Sequence, residues 1–123
     1  MANIYVAVVD DDESFRRSLA RLLRAARYQP VTYASAEDFL ADSKHPNFDC
    51  ILLDIALTGI SGLELARRLA AVGSVVPIVY ITAHDDARTR QDAAAAGCVA
   101  FVSKIEPRDV LLTVVADALK PRH

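Results

Sequence analysis

The sequence predicts an α/β fold in which helices flank a doubly wound, five-stranded parallel sheet. Short continuous apolar runs alternate with segments of helical periodicity, and this strand–helix unit occurs five times in 123 residues. A chain of this length forms one core, so we expect residues 1–123 to be a single domain without an additional output domain. Hydrophobic residues make up 53% of the chain and charged residues 24%, a composition that excludes disorder.

Five short segments are predicted as strands. Four are apolar runs typical of strands that are buried on both faces, and they cover residues 4–9, 50–53, 75–81 and 98–102. The remaining strand, residues 30–33, contains Pro30. We expect it at the edge of the sheet, because proline cannot donate a hydrogen bond to a central ladder.

The first three helices are predicted from capping residues and apolar stripes. Asp12, Ser35 and Ser61 each precede a helical pattern, where a short polar side chain can accept a hydrogen bond from the first turn. Gly73 is predicted to follow the end of the third helix. The stripes that we expect to be buried are Phe15, Leu19, Leu22, Leu23 and Ala26 in the first helix, and Leu63, Ala66, Leu69 and Ala70 in the third.

Two further helices are predicted in the C-terminal third of the chain. Residues 85–96 are polar and then alanine-rich, which favours a helix with little buried surface, and Gly97 suits its end. Pro107 suits the first position of the fifth helix. The buried stripe of that helix is predicted to contain Val110 or Leu111, then Val114, Val115 and Ala118.

Charge and cysteine content limit the classes of function. Fourteen Lys+Arg against sixteen Asp+Glu give a net charge of −2, so we expect no direct contact with nucleic acid and no attachment to a membrane surface. Cys50 and Cys98 lie in apolar runs and are predicted to be buried thiols in a reducing compartment. With no apolar stretch long enough to span a membrane and no export signal, a cytoplasmic location is expected.

Polar side chains follow four of the five predicted strands. Asp10 and Asp11 follow the first, Asp54 the third, Thr82 the fourth and Lys104 the fifth. Ligands of open α/β sheets bind at this carboxyl edge. Three adjacent carboxylates repel one another unless a cation joins them, and Mg²⁺ prefers such oxygen ligands. Together with a lysine and a threonine, they indicate a site of phosphoryl transfer to a carboxylate nucleophile.

Each of these residues also has a structural explanation when it is taken alone. Asp10 and Asp11 could favour the positive end of a helix dipole, and Asp54 could be a turn residue. Thr82 is an ordinary strand residue, and a lone Lys104 is usually a solvated charge. The functional interpretation therefore depends on their joint placement at one edge of the sheet.

Over its whole length the sequence resembles the receiver domain of bacterial response regulators. The motifs are the acidic junction VAVVDDDESFRRSL, the segment CILLDIALTGISG with glycine eight residues after its aspartate, VYITAHDD and FVSK. The stretch VTYASAEDFL is further similar to the FixJ-type branch. The resemblance implies a CheY-like (flavodoxin-like) fold with strand order 2-1-3-4-5 and five helices.

The resemblance implies a role for each site residue. Asp54 would accept the phosphoryl group in a self-catalysed reaction, so that the protein would be a switch rather than an enzyme. Lys104 would pair with the phosphoryl group. Mg²⁺ would be bound by Asp10, Asp11, Asp54 and the main-chain carbonyl of Ala56. In the switch, Thr82 would move to hydrogen-bond the phosphoryl group and Phe101 would turn inward.

Partners are also implied by the resemblance. A sensor histidine kinase would donate the phosphoryl group. An output domain or effector protein would then contact the surface formed by the fourth helix, the fifth strand and the fifth helix. A phosphorylation-dependent homodimer is a further expectation.

Two positions depart from the family pattern, since Thr58 and Ile105 stand where prolines are usual. The usual Lys–Pro bond is cis, but for a non-proline residue the cis form costs about 2.5–4 kcal/mol. We therefore predict a trans Lys104–Ile105 bond, a changed path for the loop that follows, and a lysine that still reaches Asp54.

Two alternative functions remain open at the level of sequence. One is a small haloacid-dehalogenase-like phosphatase, in which Asp10 would be the nucleophile and Asp54 would have no role. The other is a degenerate receiver that acts only as an interaction domain. The aspartate that takes the phosphoryl group distinguishes the first, and Mg²⁺ binding distinguishes the second.

Overall fold

Five parallel strands form one sheet in the order β2-β1-β3-β4-β5. The computed structural model describes residues 3–83, 91–92, 94–95 and 100–120. Its strands are β1 (Tyr5–Val9), β2 (Gln29–Tyr33), β3 (Cys50–Asp54), β4 (Ile78–Thr82) and β5 (Ala100–Ser103). The predicted fold class and strand order are confirmed, and β2 with its proline lies at an edge.

Four helices have both ends within the described residues. They are α1 (Glu13–Ala25), α2 (Ala36–Ala41), α3 (Gly62–Ala71) and the C-terminal helix (Arg108–Ala118). Of the fourth helix predicted over 85–96, only residues 91–92 and 94–95 are described, and these are helical. The predictions for Gly97 and Cys98 lie outside the described residues.

The two faces of the sheet bury alternate residues of the same strands. Val9, Leu53 and Tyr80 pack with α2 and α3 on one face. Val8 and Leu52 pack with α1 and the C-terminal helix on the other face. Because side chains alternate along a strand, a continuous apolar run serves both faces, as predicted for a doubly wound sheet.

Short polar side chains start three of the helices, as predicted. The main-chain N–H groups of Phe15, Asp38 and Glu64 donate to Asp12 Oδ1 at 3.1 Å, Ser35 Oγ at 3.0 Å and Ser61 Oγ at 3.1 Å, respectively. Pro107 is an exception, because it occupies the N-cap and the helix begins at Arg108. Its ψ of 148° is extended, so the prediction was wrong by one residue.

Gly73 follows the end of α3 in a left-handed conformation, with φ of +81°. Its N–H donates to Ala70 O at 3.0 Å, and the N–H of Ser74 donates to Leu69 O at 3.0 Å. These two bonds form a Schellman motif, in which glycine is favoured because it has no Cβ.

One further predicted boundary and one stripe require correction. β4 begins at Ile78 rather than at residue 75, and Val75 is 93% exposed. Pro77 has no N–H for the ladder, so the strand starts after it. In α3 the buried residues include Leu65, which the predicted stripe omitted, whereas Ala70 is exposed.

Among the described residues, no helix is both long and apolar enough to cross a membrane.

Candidate functional site

The carboxyl ends of the strands bring the predicted site residues to one edge of the sheet. Asp10 follows β1, whose last residue pairs with Leu53, and Asp54 is the last residue of β3. Thr82 ends β4 and pairs with Ser103, directly before Lys104. Parallel pairing therefore assembles groups that are far apart in the sequence.

Three aspartates form a compact acidic cluster at this edge. One carboxylate oxygen from each of Asp10, Asp11 and Asp54 lies within 4.8 Å of the others. Asp10 is 1% exposed and Asp54 is 3% exposed, whereas Asp11 lies at the surface. Two of the three carboxylates are thus largely removed from water.

The two buried carboxylates have the same pattern of contacts. Asp10 Oδ1 accepts from the N–H of Asp12 at 2.8 Å, and Asp54 Oδ1 accepts from the N–H of Ala56 at 3.0 Å. The second oxygens, Asp10 Oδ2 and Asp54 Oδ2, lie 2.8 Å and 3.1 Å from Lys104 Nζ. Main-chain donors and one ammonium group therefore fix the orientation of both side chains.

Burial and ion pairing shift the pKa values of Asp10 and Lys104 in opposite directions. Burial raises the pKa of Asp10, and the contact with Lys104 offsets part of that effect. Burial alone would lower the pKa of Lys104, but its contacts with Asp10 and Asp54 outweigh burial, so the pKa is raised. Lys104 is therefore a permanent cation between two carboxylates at neutral pH.

The donor set fits a hard divalent cation. Three carboxylates and a single ammonium group leave an excess of negative charge. Two of the three carboxylates are buried and poorly hydrated. Oxygen donors in such an arrangement suit Mg²⁺, which is usually bound by one or two carboxylates with water completing the shell. The role predicted for the Ala56 carbonyl stays a prediction, since only its N–H has a described contact in the site.

The loop between β3 and α3 is shaped by two glycines. Gly59 has φ of +75°, a conformation that favours glycine. A Cβ on Gly62 would overlap the main-chain carbonyl oxygen of Asp54. Gly62, which lies eight residues after Asp54, therefore lets the start of α3 pack directly against the backbone of that aspartate.

Two contacts in the site were not predicted from the sequence. Thr58 Oγ1 donates to Asp11 Oδ2 at 3.1 Å, and Lys104 Nζ lies 4.6 Å from the centroid of the Phe15 ring. Thr58 was recognised only as a departure from a family proline, and Phe15 only as a stripe residue. Neither pattern indicates the contact of Thr58 with Asp11 or that of Phe15 with Lys104.

The remaining predictions concern the switch and the loop after β5. Thr82 is buried, its carbonyl accepts from the N–H of Lys104 at 2.7 Å, and Phe101 is partly buried in β5. Their coupled movement stays a prediction.

There is no cis peptide bond among the described residues, so the Lys104–Ile105 bond is trans as predicted, and Lys104 reaches Asp54.

A family model for the response regulator receiver domain matches residues 6–116. The chain belongs to this family. Receiver domains are parts of the response regulators of two-component systems, so the motifs found in the sequence belong to the family that they resemble. This membership also favours the receiver interpretation over the haloacid-dehalogenase-like phosphatase.

The chain is similar in sequence and in structure to known response regulators over nearly its whole length. Nodulation protein W of Bradyrhizobium diazoefficiens is 36% identical over 118 residues, which are 95% of this chain and 52% of that protein. The crystal structure of FixJ-N matches with a TM-score of 0.89 and 30% identity, covering 100% of this chain and 98% of that one. A BeF3-activated DrrB receiver domain matches with a TM-score of 0.89 and 26% identity, covering 98% and 100%.

The receiver sequence is shorter than its named relatives. The chain spans about half the length of the response regulators that it matches, with 52%, 52% and 57% of three of them covered. Those proteins include transcriptional regulators such as FixJ. The similarity therefore concerns their receiver part.

Proposed function

We propose that this receiver domain takes a phosphoryl group onto Asp54 and thereby changes the surface that it presents to a partner. The observation that supports this most directly is the environment of Asp54. Its carboxylate is 3% exposed, and its Oδ2 lies 3.1 Å from Lys104 Nζ beside two further acids. A carboxylate held this way is oriented for attack on phosphorus, and a cation is in place for the incoming negative charge.

The proposed reaction is a transfer between two carriers. An Asp54 oxygen forms a bond to phosphorus while the donor's P–N bond breaks, and the electron pair of that bond stays on the imidazole nitrogen of a phosphohistidine. With a small acyl phosphate the P–O bond breaks instead, and the carboxylate leaves. Lys104 is positioned to pair with the oxygens of the transferred group, as the family resemblance implies.

Mg²⁺ would be held by Asp10, Asp11 and Asp54, with the Ala56 carbonyl as a further ligand. When bound, it neutralises the repulsion between the carboxylate cluster and the anionic phosphoryl group. Asp12 stays outside this set, because its Oδ1 caps α1. The N–H groups of Asp12 and Ala56 hold the buried carboxylates in place for the cation.

The proposed partners follow from this chemistry and from the family. A sensor histidine kinase in the cytoplasm would supply the phosphoryl group, and an output domain or effector would respond. Movement of Thr82 toward the phosphoryl group, with Phe101 turning inward, would alter the surface of β5 and its neighbouring helices. A phosphorylated homodimer would use the same surface. The phosphoryl group would end on the domain's own Asp54, so we propose a self-modifying switch and not an enzyme that turns over a substrate.

Phosphoryl labelling tests this proposal. The protein is incubated with acetyl phosphate and Mg²⁺, and the mass gained and its removal by hydroxylamine, which cleaves acyl phosphates, are measured. We expect one phosphoryl group per chain. The Asp54→Asn variant should gain none, whereas the matched control Asp38→Asn, an exposed aspartate on α2, should be labelled like the unchanged protein.

The alternative functions give different results in the same experiment. Labelling of Asp54→Asn at an unchanged level, with loss in Asp10→Asn, would identify the phosphatase-like nucleophile. A folded protein that binds no Mg²⁺ and takes no phosphoryl group would be a degenerate receiver. Either result would overturn the proposed role of Asp54.

A further inference from the structure

The Lys104 ammonium group has a third neighbour besides the two buried carboxylates. Its Nζ lies 4.6 Å from the centroid of the Phe15 ring, within the distance at which a cation is attracted to an aromatic face. The lysine side chain is 15% exposed, so this attraction acts in a partly dehydrated position. Phe15 is therefore placed to influence where the ammonium group resides.

Phe15 is itself contacted from two directions. Its N–H donates to the capping Asp12 Oδ1 at 3.1 Å, which places it in the first turn of α1 beside the site. Arg108 Cζ, at the start of the C-terminal helix, lies 4.8 Å from the same ring centroid. Arg108 also contacts Ser18 Oγ of α1 at 3.5 Å. The ring thus lies between α1 and the C-terminal helix.

The two carboxylates do not by themselves define the position of a lysine. The side chain has four rotatable carbon bonds and a compact charge that hydrogen-bonds in many directions. Asp10 and Asp54 would also hold the proposed cation, so their carboxylates would be shared between that cation and Lys104. A ring that attracts the ammonium group without using a carboxylate oxygen holds it near Asp54 in that case as well.

We infer that Phe15 is a positioning residue for Lys104, and that Arg108 fixes the ring that does so. The inference rests on the proposed function, since its consequence for the reaction is the availability of the lysine to the phosphoryl group. Ordinary packing is the competing explanation, because Phe15 also contacts the core face formed by α1 and the C-terminal helix.

The test compares variants that separate the aromatic face from apolar bulk. Phe15→Leu keeps an apolar side chain without a ring, and Phe15→Tyr keeps the ring. Leu22→Ala is the matched control, because Leu22 is a partly buried residue of the same helix that packs on the same core face. Two quantities are measured for each: the proton shifts of the Lys104 ε-methylene group, and the rate of phosphorylation by acetyl phosphate with saturating Mg²⁺.

We expect the ring to displace the Lys104 proton shifts upfield in the unchanged protein, in Phe15→Tyr and in Leu22→Ala, but not in Phe15→Leu. Phosphorylation of Phe15→Leu should be slower by about 3- to 10-fold, the range expected for loss of one cation–π contact, and Phe15→Tyr should restore it.

Three results would overturn the inference. They are identical Lys104 shifts in Phe15→Leu and the unchanged protein, an unchanged rate in Phe15→Leu, or an equal loss of rate in Leu22→Ala. Failure of the proposed function is distinguishable from these, because the unchanged protein would then take no phosphoryl group while the Lys104 shifts still report on the ring.

Discussion

At the scale of single residues, Thr58 shows how a departure from the family pattern gains a contact. Its hydroxyl donates to Asp11 Oδ2 at 3.1 Å, and Asp11 is the exposed member of the acidic cluster. An exposed carboxylate rotates freely unless a neighbour holds it. Groups that hydrogen-bond a metal ligand orient it, and their loss weakens metal binding.

We therefore expect Thr58→Val to weaken Mg²⁺ binding by about 2- to 10-fold, the low end of the usual effect, because this hydrogen bond is exposed to water. Thr58→Ser keeps the hydroxyl and should bind Mg²⁺ like the unchanged protein. Isothermal titration with MgCl₂ measures the affinity. Tighter binding by Thr58→Val would mean that the hydroxyl competes with the cation instead of orienting its ligand.

Cys50 provides a prediction about reactivity. It is a free, fully buried thiol in β3, and burial raises its pKa to about 12. Because the pKa is raised on folding, this residue's contribution to stability is present below its unfolded pKa of about 8.5 and is lost as pH rises toward the folded value. Alkylation at pH 8.5, followed by peptide mapping, should modify Cys50 only after denaturant is added. Rapid modification of the folded protein would contradict its burial.

The site residues divide into those that sequence could predict and those that it could not. Asp10, Asp54 and Lys104 each lie at the carboxyl end of an apolar run, and parallel pairing brings such ends together without further information. The contact between Thr58 and Asp11 joins residues 47 positions apart through side-chain directions in two loops. No periodicity encodes those directions, and the same holds for Phe15 and Lys104.

At the scale of elements, the junction between β3 and α3 depends on Gly62. A Cβ at this position would overlap Asp54 O and approach Asp54 C and Ile55 Cα, each at 3.0 Å. These neighbours are backbone atoms and cannot rotate away. Gly62→Ala should therefore lower the free energy of unfolding by about 1–3 kcal/mol and displace the end of β3 at Asp54.

Gly73→Ala is the matched control for this prediction. Gly73 has φ of +81°, and a Cβ added there would meet no atom within 4 Å, so an alanine costs only backbone strain of about 1–2 kcal/mol. Urea denaturation gives both stabilities. Backbone amide shifts at residues 54–56 should change in Gly62→Ala alone; equal changes in both variants would show that the effect is not local.

Element boundaries were less predictable than element types. Apolar runs predicted all five strands, and apolar stripes predicted α1, α3 and the C-terminal helix, because both faces of the sheet have to be covered. The helix α2 was predicted from its capping residue Ser35. The predicted starts of β4 and of the C-terminal helix were wrong, and both lie beside a proline, Pro77 and Pro107. The fixed φ of proline is compatible with extended and with helical neighbours, so it does not define the boundary. The predicted stripe of α3 is correct in part, since Ala66 is buried and Leu63 and Leu69 pack against the core. It omitted Leu65, which is buried, and included Ala70, which is exposed.

At the scale of the whole molecule, a cation that binds only the folded acidic cluster should stabilise the entire fold. Unfolding separates Asp10, Asp11 and Asp54, so the unfolded chain has no equivalent site. At a Mg²⁺ concentration one hundred times the dissociation constant, the expected gain is about 2.7 kcal/mol. Thermal melts with MgCl₂ and with excess chelator measure it.

Asp11→Ala should lose most of this gain, because it removes the exposed ligand without emptying the core. The matched control Asp109→Ala, an exposed aspartate of the C-terminal helix, should keep it. A rise in melting temperature that is equal in all three proteins would indicate general screening of charge by the salt.

The same acidic cluster has a consequence for how the chain would change under laboratory selection. Asp10 and Asp54 are almost fully buried and share one lysine, so their charges serve the proposed phosphotransfer but lower the stability of the fold. In a population selected for heat resistance alone, replacement by asparagine at either position relieves repulsion without leaving a cavity. Such populations should lose the proposed phosphotransfer early and gain thermal stability. Selection that also requires phosphotransfer should retain both acids and accumulate stabilising substitutions at other positions.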